Sequence, residues 1–260
     1  MTFPGAGGEP AAERLPLPVT RAGEKVPAVA WLPSSSAPPT AIVLVGHGGG
    51  MHKDSAFVTR IAGHLAGSLG YAAVAIDEPY HGERTPPEEQ GLSVLERRAR
   101  MGVAAWRERN SQATEQAIAD WQAAIDAVQR LYAVRDVPVG YYGVSMGTRH
   151  GIPLAAAEPR ITAAVFGLFG HPVGDPEDAF ARAAAQVTIP VLFLLQWDDE
   201  LFPRDDGLAL FDLLGSRAKT LHANPGGHLR IPPAELIQGV QFLRQHLTPG
   251  RPGRFGLRGR

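Results

Sequence analysis

The stretch YYGVSMGTRHG, residues 141–151, places a serine between two glycines directly after a run of strand-forming residues. Residues 139–144 predict a short strand, and the residues after the serine predict a helix. Such a turn exposes a serine hydroxyl above a sheet, and the small residues Gly143 and Gly147 let the backbone pass closely. A chain with 30 glycines can also match Gly-x-Ser-x-Gly by chance. The position between strand and helix favours Ser145 as a nucleophile.

Short apolar runs alternate with helical segments on both sides of this motif. The runs that predict strands are 15–20, 26–32, 41–45, 72–76, 139–144, 161–166, 191–195 and 219–223. The first two, separated by RAGEK, predict an antiparallel pair, whereas the continuous apolar runs after them are typical of strands buried on both faces. Helices are predicted at 57–69, 111–131, 207–214 and 233–246. This alternation predicts an α/β fold with a mostly parallel sheet and helices on both faces.

The chain is predicted to form one domain over residues 15–247, because 260 residues suffice for a single large α/β domain. The Gly- and Pro-rich residues 1–14 predict a flexible arm, and the basic residues 248–260 predict a flexible tail. A long connection at 83–110 predicts a helical insert after the fourth strand. Only about twenty residues separate Phe169 from the next strand, so no large cap domain is expected there.

The insert is both basic and partly apolar. Its arginines are Arg97, Arg98, Arg100, Arg107 and Arg109. One interpretation is a solvated helical flap. The other is a lid over a substrate pocket, in which one arginine pairs with a substrate carboxylate in bidentate fashion. The sequence leaves both open.

Composition excludes several classes of function. A formal net charge of −1 argues against nucleic acid and anionic membranes as partners. The chain has no cysteine, which excludes disulfides, thiolate nucleophiles and thiolate metal sites. The N-terminal residues lack the pattern of a signal peptide, and the apolar runs are too short to span a bilayer. A cytoplasmic protein is therefore expected.

Ser145 needs a base, because an unperturbed hydroxyl is a poor nucleophile. Nine histidines compete for this role. His228 lies in NPGGHLRIPP, between the last predicted strand and the last predicted helix. A histidine on this loop can reach a serine at the carboxyl edge of the sheet. His228 is therefore the predicted base.

The acid that orients this base is expected after the strand at 191–195, where LLQWDDELFP offers two neighbouring carboxylates. Asp198 and Asp199 cannot both point at one imidazole, because neighbouring side chains in an extended segment diverge. The residues alone leave both as candidates.

An oxyanion hole is the remaining requirement for acyl transfer. The Met146 amide, directly after the serine, is the first predicted donor. VGHGGG, residues 45–50, ends a buried strand in consecutive glycines whose amides can turn inward. Gly49 is the first choice for the second donor and Gly48 the next. A phosphate-binding loop is the alternative, but neither Gly-x-Gly-x-x-Gly nor a Gly-Lys-Ser/Thr ending is present.

The order of VGHGGG, GVSMG, DDELFP and PGGH resembles the α/β-hydrolase superfamily over roughly residues 15–247. Because no large cap is expected, the chain resembles the dienelactone-hydrolase and small serine esterase branch of that superfamily. The resemblance implies ester hydrolysis with no metal and no organic cofactor. It also favours Asp199 as the acid, because Pro203 follows four residues later as in the family pattern, with Gln196 where the family usually has glycine. IDEPYHGER resembles a pocket-lining stretch of the family, which implies Tyr80, His81 and Arg84 as possible pocket residues. Trp197, directly before the candidate acids, is a further possible pocket residue.

Together these features predict a serine hydrolase that acts on a small-molecule carboxylic ester through a Ser-His-Asp triad and an acyl-enzyme. The same residues could also serve carbon–carbon hydrolysis, acyl transfer or perhydrolysis. A non-catalytic binding protein of the same fold is the third alternative, although such a protein has no need of all three side chains.

Overall fold

The structure is a computed structural model that describes residues 12–35, 37–132, 134, 136–171 and 178–247. The predicted tail at 248–260 and residues 1–11 of the predicted arm lie outside the described residues. The strands are β1 (Ala12–Pro16), β2 (Val19–Arg21), β3 (Glu24–Val26), β4 (Ala28–Pro33), β5 (Ile42–Gly46), β6 (Ala72–Ile76), β7 (Val139–Gly143), β8 (Ile161–Gly167), β9 (Val191–Gln196) and β10 (Lys219–Asn224). The helices are α1 (Ala56–Gly63), α2 (Val94–Met101), α3 (Val103–Tyr132), α4 (Met146–Ala157), α5 (Ala179–Gln186), α6 (Arg204–Leu213) and α7 (Pro233–Leu247).

Eight strands form one sheet in the order β1-β4-β6-β5-β7-β8-β9-β10. β4 pairs antiparallel with β1 and β6, and the strands from β6 to β10 pair in parallel. This arrangement confirms the predicted mostly parallel sheet. The carboxyl ends of β5, β7, β9 and β10 therefore meet at one edge, which is where ligands bind in open α/β sheets.

Helices cover both faces of the sheet, and the neighbouring residues Tyr141 and Tyr142 of β7 pack on opposite faces. Tyr141 packs in the core on one face with Trp121 of α3, and α4, α5 and α6 cover the same face. Tyr142 packs on the other face with α1 and α7, including Leu243. Because side chains alternate along a strand, a strand between two helical layers must be apolar at every position. Burial on both faces therefore explains the continuous apolar runs in the sequence.

The first predicted strand is divided in the structure. β1 ends at Pro16 and pairs with β4, whereas β2 and β3 form a separate hairpin. The sequence Pro16-Leu17-Pro18 explains the break, because proline has no amide hydrogen to donate to a ladder. Ala22 and Gly23 both have positive φ, as a two-residue turn of type I′ requires.

The predicted helices are present with different bounds. α1 is followed by a wider π-helical turn at His64–Ser68, and Gly70 with φ of +70° ends the segment as expected of a C-terminal glycine. The helix predicted from residue 111 begins earlier, at Val103, so part of the insert belongs to α3. α5 is an additional helix. Among the described residues, no helix is long and apolar enough to cross a membrane.

Candidate active site

Ser145 stands at the turn between β7 and α4 with a strained backbone. Its φ of 58° and ψ of −121° are unusual for a residue with a side chain. The Ser145 amide donates a 2.8 Å hydrogen bond to the Gly167 carbonyl at the end of β8, which fixes the turn to the neighbouring strand. Ser145 therefore lies half-buried at the tip of a sharp strand-to-helix turn.

Both glycines of the motif are required by close contacts. A Cβ on Gly143 would lie 2.6 Å from Cε1 of Tyr141, and one on Gly147 would lie 3.0 Å from the Gly46 carbonyl oxygen. The Tyr141 hydroxyl also donates a 2.7 Å bond to the Gly147 carbonyl. A side chain at Gly147 would therefore push the serine turn away from β5, and one at Gly143 would clash with the Tyr141 ring.

The structure brings His228 and Asp199 to this serine. His228 lies on the connection between β10 and α7, and its Nε2 is 3.0 Å from Ser145 Oγ. Its Nδ1 is 2.8 Å from Asp199 Oδ2. The side chains of His228 and Asp199 are only 5% and 3% exposed, so little water competes for these bonds.

The two neighbouring aspartates have different partners. Asp199 Oδ1 accepts the amides of Leu201 at 2.8 Å and Phe202 at 3.0 Å, which leaves Oδ2 directed to the imidazole. Asp198 Oδ2 instead accepts the amide of Gly226 at 3.0 Å. Of the two candidates, Asp199 is the one that contacts His228.

The predicted oxyanion donors come from two segments, the start of α4 and residues 47–50, which we call the glycine loop. Met146 is the first residue of α4, where an amide has no acceptor within the helix. A Cβ on Gly48 would lie 3.9 Å from the Cβ of Ser145, so this buried glycine is a neighbour of the serine. Gly49 is exposed, and a Cβ there would lie 3.4 Å from Cγ2 of Val94 on α2.

His47 holds the glycine loop from inside the protein. Its Nδ1–H donates to the Gly48 carbonyl at 2.8 Å, and its Nε2 accepts the Glu78 amide at 3.1 Å. Because the carbonyl and the following amide point in opposite directions in a trans peptide, this bond also sets the direction of the Gly49 N–H.

Glu78 is a buried carboxylate that the sequence analysis did not identify. It accepts hydrogen bonds from Trp121 Nε1 on α3 and His150 Nδ1 on α4, each at 3.0 Å. Burial disfavours its charge, but the nearby His150 and His47 outweigh burial and lower the pKa of Glu78 to about 2. The carboxylate of Glu78 thus contacts α3 and α4, and its backbone amide bonds to His47 beside the glycine loop.

Burial is the largest influence on the pKa values of the histidines around Glu78. Burial lowers the pKa of His81 to about 3 and also lowers the pKa values of His47 and His150, with partial opposition from Glu78. A neutral imidazole can donate at one nitrogen and accept at the other, as His47 and His150 both do.

A small cavity lies between the insert and the start of α4. It is lined by Pro79, Tyr80, His81, Val94, Arg97, Trp106, Arg109, Asn110, Ala113 and Arg149. Tyr80 and His81 were predicted pocket residues and do line it. Arg84 instead pairs with the buried Asp120 at 2.7 Å, and Trp197 stacks against the Arg204 guanidinium.

Two arginines of the insert are engaged within the protein. Arg109 makes a bidentate pair with Glu89, and its guanidinium carbon lies 3.8 Å from the centre of the Tyr80 ring. Arg97 donates to the Tyr80 carbonyl at 3.1 Å and lies 3.7 Å from the same Glu89. These contacts fasten the insert over the cavity. Across the described part of the chain, no group of His, Asp and Glu could hold a metal ion.

The chain matches the model of the dienelactone hydrolase family over residues 26–221. A cold-adapted esterase from an Arctic intertidal metagenomic library is 39% identical, with 91% of this chain and 94% of that chain covered and a TM-score of 0.74. A dienelactone hydrolase from Anabaena variabilis is 21% identical, with 91% and 99% covered and a TM-score of 0.64. Est1E from Butyrivibrio proteoclasticus, in complex with ferulic acid, is 18% identical, with 88% and 98% covered and a TM-score of 0.61.

The similarity to the Anabaena variabilis and Butyrivibrio proteoclasticus proteins, at 21% and 18% identity, shows a shared fold alone. No curated protein sequence matches the chain. The family model covers most of the chain, and the 39% identity extends over nearly all of it. The chain therefore belongs to the dienelactone hydrolase family and is a hydrolase.

Proposed function

We propose that this protein is a carboxylic ester hydrolase that works through an acyl-enzyme on Ser145. The observation that carries the proposal is the alignment of three side chains: His228 Nε2 lies 3.0 Å from Ser145 Oγ, and His228 Nδ1 lies 2.8 Å from Asp199 Oδ2. Nucleophile, base and orienting acid are then each within hydrogen-bond distance of the next. The strained φ of Ser145 supports the same role.

In the first half of the reaction, Ser145 Oγ attacks the ester carbonyl carbon while His228 Nε2 takes the hydroxyl proton. The tetrahedral intermediate collapses, the bond to the alkoxy oxygen breaks, and His228 returns the proton to that oxygen so that an alcohol leaves. In the second half, water attacks the acyl-serine and gives a proton to His228. Collapse releases the carboxylic acid and returns the proton to Ser145.

Asp199 has two tasks in this scheme. Its Oδ2 accepts the Nδ1–H of His228, which leaves Nε2 free of a proton and facing the serine. Its charge also stabilises the imidazolium that forms after proton transfer. Since Oδ1 is bonded to the Leu201 and Phe202 amides, the carboxylate is fixed in this orientation.

The oxyanion is proposed to be held by the Met146 amide and an amide of the glycine loop, with Gly49 first and Gly48 second. The Gly48 carbonyl points toward His47, to which it is hydrogen-bonded. The Gly49 N–H therefore points in the opposite direction, which supports Gly49 as the second donor. Loss of one such donor costs about 3 kcal/mol of transition-state stabilisation.

An ester is favoured over an amide as substrate because an alkoxide leaves more readily than an amine. The esterase that is 39% identical to this chain supports the same choice. The cavity beside Tyr80 and Arg149 is the proposed substrate pocket, since Arg149 lies one helical turn after Ser145 on α4.

Hydrolysis of 4-nitrophenyl acetate by the wild type and by Ser145→Ala tests the proposal. We expect Ser145→Ala to keep the melting temperature and lose at least about 10³-fold in kcat. Turnover by Ser145→Ala at the wild-type rate would remove Ser145 from the mechanism.

A further inference from the structure

The connection that carries His228 is held along its length by residues at and after the end of β9. We call residues 197–203, between β9 and α6, the acid loop, and residues 225–232, between β10 and α7, the His loop. The Trp197 amide donates to Asn224 at 2.7 Å, and the Asp198 amide donates to Gly226 at 3.1 Å. The two loops thus continue side by side beyond the paired strands β9 and β10.

Side chains add to this backbone pairing. Asp198 Oδ2 accepts the Gly226 amide at 3.0 Å, and Gln196 Nε2 donates to the Gly227 carbonyl at 3.3 Å. Gln196 stands where the family usually has glycine, so its amide supplies a bond to the His loop that a glycine could not supply.

Glu200 holds the histidine itself. Its Oε2 accepts the backbone amide of His228 at 2.9 Å. His228 is therefore fixed at two separate points, at its backbone by Glu200 and at its ring by Asp199. The bond from the His228 amide lowers the pKa of Glu200, so the carboxylate remains an ionised acceptor near neutral pH.

Gly227 leaves room for this carboxylate because it has no side chain. A Cβ on Gly227 would lie 2.5 Å from Glu200 Oε2 and 3.4 Å from its carboxyl carbon. Gly227 is not among the glycines with φ in the left-handed region, so a side chain there would not strain the backbone and would instead displace the Glu200 carboxylate. The carboxylate and the glycine fit each other.

We propose that Glu200 is a positioning residue, which seats against Gly227 and holds the His228 backbone so that the imidazole spans Asp199 and Ser145. This role rests on the proposed function of Ser145 and His228. A loop is otherwise among the more mobile parts of a fold, and a displacement of about 1 Å in a reacting group can cost about 10²-fold in rate. Glu200 limits that displacement without touching substrate.

The first experiment compares Glu200→Ala and Glu200→Gln in the hydrolysis of 4-nitrophenyl acetate. Glu200→Ala loses the acceptor, and we expect kcat to fall about tenfold with KM unchanged, because the group acts on the base rather than on substrate binding. Glu200→Gln keeps an oxygen acceptor and is expected to restore kcat to within about threefold of the wild type. Asp205→Ala, which removes an exposed carboxylate from α6, is the matched control and is expected to be silent.

The second experiment is a double-mutant cycle with Gly227→Ala. This variant places a methyl group against the Glu200 carboxylate, so we expect it to lower kcat about as much as Glu200→Ala. In the Glu200→Ala background the methyl group has no carboxylate to displace, and Gly227→Ala is expected to add little further loss. Independent losses that multiply in the double variant would overturn the proposed contact.

Labelling of Ser145 by a fluorophosphonate probe separates this proposal from the one on which it rests. A wild type that does not react at Ser145 contradicts the proposed function. A wild type that reacts, together with a Glu200→Ala variant of unchanged kcat, overturns the role of Glu200 alone. Equal losses in Glu200→Ala and Glu200→Gln also overturn it, because the missing acceptor would not be the cause.

Discussion

The carboxylates of Asp198 and Asp199, neighbours in the chain, bond to different parts of one loop. Asp199 contacts the imidazole of His228 at 2.8 Å, whereas Asp198 accepts the Gly226 amide two residues earlier at 3.0 Å. One acid therefore orients the base and the other fixes the loop that carries it. Separate substitution of each aspartate therefore distinguishes a catalytic effect from a structural one.

Asp199→Asn is expected to lower kcat by about 10³- to 10⁴-fold, because an amide in place of the carboxylate favours the wrong tautomer of His228. Asp198→Asn keeps an oxygen that can accept the Gly226 amide and is expected to lose less than about tenfold. Steady-state kinetics with an aryl ester measure both variants. A larger loss in Asp198→Asn than in Asp199→Asn would reverse the assignment.

Gly49→Pro removes the amide proposed as an oxyanion donor. We expect kcat to fall by about 10²- to 10³-fold, the usual cost of one such donor. Gly49→Ala is the control, since its Cβ would meet Val94 Cγ2 at an ordinary 3.4 Å and its amide is retained. Circular dichroism and melting temperature show whether each variant is folded. Comparable activity of the two would argue that the Gly49 amide does not hold the oxyanion.

Glu78→Gln tests the buried carboxylate beneath the serine turn. Because the folded-state pKa of Glu78 is lowered from 4.5 to about 2, ionised Glu78 stabilises the fold above about pH 4.5, and this stabilisation is lost as the pH falls towards 2. Urea unfolding of both proteins at pH 7 and pH 3 should show a difference that shrinks on acidification. A difference that grows at low pH would contradict this sign.

Arg109→Ala is expected to loosen the insert, because Arg109 pairs with Glu89 and stacks on Tyr80, a residue of the proposed substrate pocket. A partly buried ion pair with a cation–π contact contributes about 1 to 2 kcal/mol, so KM for aryl esters should rise severalfold. The exposed Arg107→Ala is the matched control and should leave KM unchanged. Equal KM values for the two variants would favour a solvated flap over a pocket cover.

Much of this arrangement could be predicted from local sequence. Ser145 stands out because a strand, two glycines and a helix follow one another within a few residues. His228 stands out because chain order alone places its loop at the carboxyl edge of a parallel sheet. The division of the first strand also follows from local sequence, because Pro16 and Pro18 interrupt the run that predicts one continuous strand.

Other features depend on contacts between distant residues. Whether Asp198 or Asp199 faces the base depends on which carboxylate accepts the amides of Leu201 and Phe202, a turn that apolar patterning does not report. Glu78 could not be identified because its partners Trp121 and His150 come from two separate helices. α5 was missed because Ala179–Gln186 is only 8 residues long, too short for the spacing of its apolar residues to distinguish a helix.

The central claim is that the hydroxyl of Ser145 is activated by His228. Incubation with a fluorophosphonate, followed by mass spectrometry of the peptides, tests this claim most directly. We predict a single phosphonyl adduct on Ser145 in the wild type, much slower labelling in His228→Ala and no labelling in Ser145→Ala. Labelling at another residue, or at the same rate in His228→Ala as in the wild type, would contradict the account.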